Sequence, residues 1–169
     1  MRLNIGIQAS SSSFVLLHHP RSLLNEQAIQ YLCDNYQQLN WGGFTHAFDQ
    51  SHLLLKFTSW YSNKVRARIK EIVYLDHCIF CKKSLLEKIG GVPQLDIFED
   101  TQLSLELRKL CAVKILPFPS TTSSMRFRKN GLMKQAVLNQ YLKIKFLVNS
   151  DHTQMNKVYE QELELNSKY

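Results

Sequence analysis

The chain reads as an α/β protein, and three observations predict that class. Short apolar runs of strand length alternate with longer segments whose apolar residues recur at helical spacing. Apolar residues make up 44% of the sequence, enough for a packed core. At 169 residues the simplest arrangement is one domain over residues 1–150, followed by a helical tail over 151–169.

The elements follow in order. Residues 2–9 resemble the middle of a helix, and the serines at 10–13 break it. Residues 14–18 are apolar and predict a buried strand, which Pro20 ends because it cannot donate to a ladder. Ser22 is the expected N-cap of a helix over 23–33, whose face carries Leu24, Ala28 and Tyr31. A strand with glycines at one end is expected over 41–49. A long helix over 52–69 then carries cations, including Arg66 and Arg68, near its C-terminal end, where the helix dipole favours them. A strand is predicted at 74–82. A short helix over 85–89, capped by Ser84, stops at Gly90-Gly91. Leu103, Leu107 and Leu110 mark a helix over 102–110. The strand at 113–117 should end at Pro117 and Pro119, with a Ser/Thr loop over 120–130 behind it. Helices over 131–148 and 153–165 complete the chain.

Lysine and arginine number 21 against 14 acids, a net of +7, which suits an anionic partner. The cations are dispersed, and neither an aromatic RNA-binding signature nor zinc-finger spacing accompanies them, so a nucleic acid is not the favoured partner. No apolar run approaches the ~20 residues that span a bilayer. Cys78 and Cys81 have the spacing of half a zinc site, but no second pair is placed to complete it. On a strand their spacing of three puts the thiols on opposite faces, as buried structural cysteines. Four cysteines without a secretory leader imply a reducing, cytoplasmic setting. His46 and His77 read as hydrogen-bonded strand residues.

The stretch from Gly90 to Asp100 carries the chemistry. Two glycines and a proline make a turn, a short apolar approach follows, and Glu99-Asp100 stand at the mouth of a helix. Acids at that position are favoured by the helix dipole, and a carboxylate displayed behind a tight loop can also act as a general base.

Set among their neighbours, these residues resemble the family-2 glycosyltransferases of the A-type fold, closest to the small bacterial branch associated with radical-SAM genes. The resemblance runs from about residue 2 to residue 159. It rests on Trp41-Gly42-Gly43-Phe44, Tyr74-Leu75-Asp76-His77, Gly90-Gly91-Val92-Pro93 with Phe98-Glu99-Asp100, and Thr122 to Gly131, in that order and with similar gaps. It implies an A-type glycosyltransferase sheet, incomplete because the first nucleotide-binding strands would precede Met1. It also implies inverting transfer of a sugar from a nucleotide-sugar donor to the hydroxyl of an acceptor. By the family pattern Asp100 is the base, with Glu99 beside it. Asp76, His77 and Gly91 then line the substrate, and Arg126 and Arg128 face the diphosphate. The family holds a divalent cation, Mg or Mn, on a carboxylate. Here His18-His19-Pro20-Arg21 stands in that place, leaving His18 and His19 as the metal-ligand candidates, a pair better suited to zinc or nickel. Met125 and Phe127 replace an arginine and a tryptophan of the family loop. The alternative is a non-catalytic remnant that binds an acceptor, a membrane or a partner. An exposed sheet edge would favour an oligomer, and the basic, aromatic helix at 131–148 would allow contact with the inner face of a membrane.

Overall fold

The computed structural model describes residues 2–148 and 151–160. The chain forms two compact units, one of residues 1–93 and 100–123, the other of residues 94–99 and 124–169.

The first unit is mixed α/β. A five-stranded sheet has the order β1-β4-β3-β5-β2, with β1 at Phe14–Leu17, β2 at Ser22–Leu24, β3 at Trp41–Phe48, β4 at Ile79–Lys82 and β5 at Lys114–Thr122. Only β3 and β5 are parallel; the other neighbours are antiparallel. The two edge strands, β1 and β2, are consecutive in sequence. The five steps from Leu17 to Ser22 reach at most about 18 Å of extended chain. Opposite edges of a flat five-stranded sheet lie about 19 Å apart. The sheet therefore curls, and His18–Arg21 bridge its edges.

Side chains alternate across this sheet. Val15, Leu17, Trp41, Ile79 and Cys81 pack on one side with Ile7 of α1 (Arg2–Ala9), Leu86 of α4 (Lys83–Lys88) and Leu103 and Leu107 of α5 (Glu99–Leu107). Phe44, Cys78, Phe80 and Leu116 pack on the other with Ala28 and Leu32 of α2 (Glu26–Asn35). Cys78 and Cys81 are both buried free thiols in different clusters.

Several expectations about elements are corrected. Ser22 is no helix cap; it lies buried in β2 opposite Thr122, and Asn25 caps α2 by accepting from Ala28 N at 2.8 Å. Ser84 does not cap α4, whose N-cap is Lys82, without a side-chain capping bond. The helix over 52–69 is α-helical only through α3 (Leu53–Tyr61) and continues as a π-helical turn over Ser62–Ile69. The strand expected at 113–117 runs through both prolines to Thr122. Phe44 pairs with Leu116 and Thr45 with Pro119, so Pro117 and Phe118 bulge out of the ladder and pairing resumes at Pro119.

The second unit holds α6 (Met125–Asn130), α7 (Leu132–Leu147) and α8 (His152–Glu160). Ile97, Leu142 and Met155 form its core, with Phe98, Leu138 and Phe146 against them. The loop expected at 120–130 is thus the end of β5 followed by α6. The part of the final predicted helix beyond residue 160 lies outside the described residues. Among the described residues no helix is long and apolar enough to cross a membrane.

Candidate functional site

The strand predicted at 74–82 begins only at Ile79. Ahead of it Leu75–His77 form a single 3₁₀ turn, and Cys78 turns left-handed at φ 52° before the strand starts. A left-handed cysteine is uncommon, and such conformations persist where the surroundings impose them. Here the surroundings are a ring of hydroxyls. The backbone carbonyl of Asp76 accepts from Ser120 Oγ at 2.7 Å and from Ser22 Oγ and Thr122 Oγ1 at 3.4 Å, all on β2 and β5. With the carbonyl drawn inward, the Asp76 side chain stays partly exposed, and its Oδ1 lies 3.5 Å from Nδ1 of His19.

His77 lies fully buried beneath this turn. Its Nδ1 donates to the Phe44 carbonyl at 2.8 Å, which leaves Nε2 to accept from Ser62 Oγ at 3.0 Å. Burial holds the imidazole neutral and pulls its pKa down to about 4. Gly43 makes room for it. A Cβ there would stand 2.7 Å from Val73 Cγ1 and 3.0 Å from His77 Cβ. His46 lies alongside, with ring centroids 5.6 Å apart. Its Nδ1 meets Ser59 Oγ, its Nε2 is buried with no partner among the described residues, and burial lowers its pKa too.

Asp100 joins this assembly from α5. Its Oδ2 accepts from Leu75 N at 3.0 Å, and its Oδ1 from Thr101 N at 2.7 Å. The Asp76 turn and the Asp100 helix end are thereby fixed to each other. The π-helical turn joins this assembly through Ser62, bonded to His77, and through Arg66. Arg66 stacks over the rings of Tyr61 and Tyr74, at 5.0 and 5.3 Å. Tyr74 is pushed up to about 12, chiefly by burial, against the pull of Arg66. Extra-wide turns of this kind are frequent at functional sites. From sequence, Arg66 reads only as a helix C-terminal cation, Ser22 only as an N-cap and Thr122 only as the start of the family-like loop, while Ser62 and Ser120 are not singled out. A buried Ser or Thr must find a partner, but their sequence neighbours, Arg21, Thr121 and Ser123 among them, give no sign that these hydroxyls are buried.

Other predicted residues stand apart. His18 is exposed, while His19 is half-buried and turned to Asp76. Gly91, at φ 91°, serves the turn: a Cβ would lie 2.8 Å from Asn4 Oδ1, and the Asn4 amide clasps Val92 N and O at 2.8 Å each. Glu99 opens α5 directly after Phe98, a residue at φ 62°, and burial raises its pKa. In the second unit Arg126 is buried on α6. It bonds Glu160 Oε1 at 2.7 Å and the Tyr159 carbonyl, and stacks on the Tyr159 ring at 4.1 Å. An anion reaching Arg126 would have to displace Glu160. Arg128 is exposed on the same helix. A separate open cleft of about 500 Å3, lined by Ser13, Phe14, Lys82 and Lys83 among others, contains none of the predicted site residues.

Among the described residues, no three His, Cys, Asp or Glu side chains are grouped to hold a metal. His19 with Asp76 offers one imidazole and one carboxylate, short of the oxygen-rich set that Mg or Mn takes. The side chains present can position a hydroxyl against a held carboxylate and offer a stacked guanidinium to an anion. Searches against protein-family profiles, curated proteins and solved structures found no match.

Proposed function

We propose that the chain is a glycosyltransferase-like protein of the A-type fold that moves a sugar from a nucleotide-sugar to an acceptor hydroxyl with inversion. Asp100 takes the hydroxyl proton as the acceptor oxygen bonds to the anomeric carbon. The bond from that carbon to the diphosphate oxygen breaks, and the diphosphate leaves with the electron pair. Asp76 lines the acceptor side, and Arg66 offers a charge to the departing diphosphate. A divalent cation belongs to this proposal only as a condition of the test below, since the donors present do not make a site for one. A cytoplasmic location is supported by four free cysteines.

The observation that carries the proposal is the bond from Leu75 N to Asp100 Oδ2. It unites two motifs 25 residues apart, those which the resemblance assigns to acceptor and base, in one rigid corner. The same bond favours a second reading. With both oxygens accepting from backbone N–H groups, Asp100 could serve the fold alone, and the chain would be a binding module for an acceptor or partner.

Asp100→Asn separates the two. Sugar transfer from a panel of UDP-sugars, with and without Mn2+, should drop by a factor on the order of a hundred or more in the variant. Nucleotide affinity should stay nearly intact. A fully active Asp100→Asn would remove Asp100 as the base. Loss of folding in the variant, with no transfer by the parent chain, would leave the binding module as the better account.

A further inference from the structure

We propose that α7 is a docking face for an anionic lipid surface. A helix of 16 residues is about 24 Å long. One side of α7 packs into the second unit through Leu142, with Leu138 and Phe146 beside it. The opposite side is also apolar and faces solvent. Met133, Val137, Tyr141, Ile144 and Val148 recur at steps of three and four residues, and Met133, Val137 and Ile144 are 67%, 64% and 63% exposed. That spacing aligns them in one stripe. An apolar stripe on both sides of a helix is not what a solvated surface helix shows.

The charge around the stripe says what covers it. Between Met125 and Val148 there are two arginines and four lysines, and no aspartate or glutamate. Lys134 and Lys145 border the stripe along the line through Val137 and Tyr141, and the Lys145 ammonium sits 5.2 Å over the Tyr141 ring. Lysine stems can lie along an apolar surface while their heads reach phosphates. A second copy of the chain suits this face poorly. Pairing two such helices would bring lysines together with no carboxylate on the segment to offset them. Five side chains also fall short of the roughly 800 Å2 per partner of a stable interface. A helix whose exposed apolar stripe is bordered by lysines, with no acids, matches a bilayer interface carrying anionic headgroups. Docking of α7 on lipid stands whether or not the chain transfers sugar.

Co-sedimentation of the whole chain with phosphatidylcholine vesicles, with and without phosphatidylglycerol, tests this. The chain should sediment with the anionic vesicles and not with the neutral ones, and raised salt should release it. Val137→Glu with Ile144→Glu should abolish sedimentation. Both positions are exposed, so an unchanged circular dichroism spectrum would show that the fold is kept. Lys134→Gln with Lys145→Gln should weaken binding on the order of thirtyfold. The proposal is overturned if the chain ignores anionic vesicles, or if both α7 variants bind as the parent does. It is equally overturned if Phe57→Glu with Trp60→Glu on α3 abolishes binding while the α7 variants retain it. Loss of a dimer in gel filtration on α7 substitution, with no lipid binding by the parent, would assign the stripe to a second copy instead.

Discussion

The imidazoles of His46 and His77 are buried side by side, and both have depressed pKa values because burial disfavours their charged forms. For His77 the pKa moves from 6.5 unfolded to about 4 folded. Between those values the unfolded chain binds the proton and the folded chain does not. Stability from the neutral imidazole is therefore fully present above pH 6.5 and is lost as pH falls toward 4. The loss amounts to about 3 kcal/mol, with His46 adding in the same direction. Urea unfolding followed across that window should show the midpoint falling with acid, and His77→Gln should flatten the slope. An equal slope in His77→Gln would mean that other groups set the acid response. Sequence exposed these two histidines only as hydrogen-bonded strand residues. That His77 stands on a 3₁₀ turn, tied to Ser62 on a π-helical segment, depends on contacts between residues 15 apart, which local patterns do not encode.

At the scale of elements, periodicity located most helices and strands, but it missed β2 and α6, whose residues read as helix and as loop, and it misjudged several ends. Ser22 is an attractive N-cap by type, yet its hydroxyl is 2.7 Å from Thr122 Oγ1 in the sheet, and the cap moves to Asn25. Asn25→Ala should cost about 1 kcal/mol through loss of the bond to Ala28 N, a fall in melting temperature of roughly 2–4 °C. Calorimetry would show it, and an unchanged melting temperature would mean that the cap contributes nothing. The prolines of β5 misled in a similar way. Pro117 does end regular pairing, but a bulge lets β5 resume at Pro119, and only then do Ser120 and Thr122 reach the Asp76 carbonyl. The helix over 52–69 was legible as a helix, but its π-helical half, which aims Ser62 and Arg66, was not. Nothing in composition distinguishes an i+5 ladder from an i+4 one.

For the molecule as a whole, the α/β class was plain from the alternation of elements, and the sheet delivers it with a curl forced by the short bridge at His18–Arg21. The candidate site was legible in part. Asp76, His77, His19 and Asp100 converge in the first unit, whereas Arg126 is already paired with Glu160 in the second. The resemblance assigns Arg126 and Arg128 to the diphosphate, but that Arg126 is already paired was not legible, because Arg66 and Arg126 look alike until their partners are known. The central claim is that the Asp76–Asp100 corner belongs to a nucleotide-sugar site. Its most direct test is a calorimetric titration of the whole chain with UDP-sugars, with and without Mn2+, repeated on Arg66→Gln. Saturable binding that weakens by about tenfold or more in Arg66→Gln, the expected loss of a charge-assisted contact, is the predicted result. Absence of heat and of competition for every nucleotide-sugar tried, under both conditions, would contradict it.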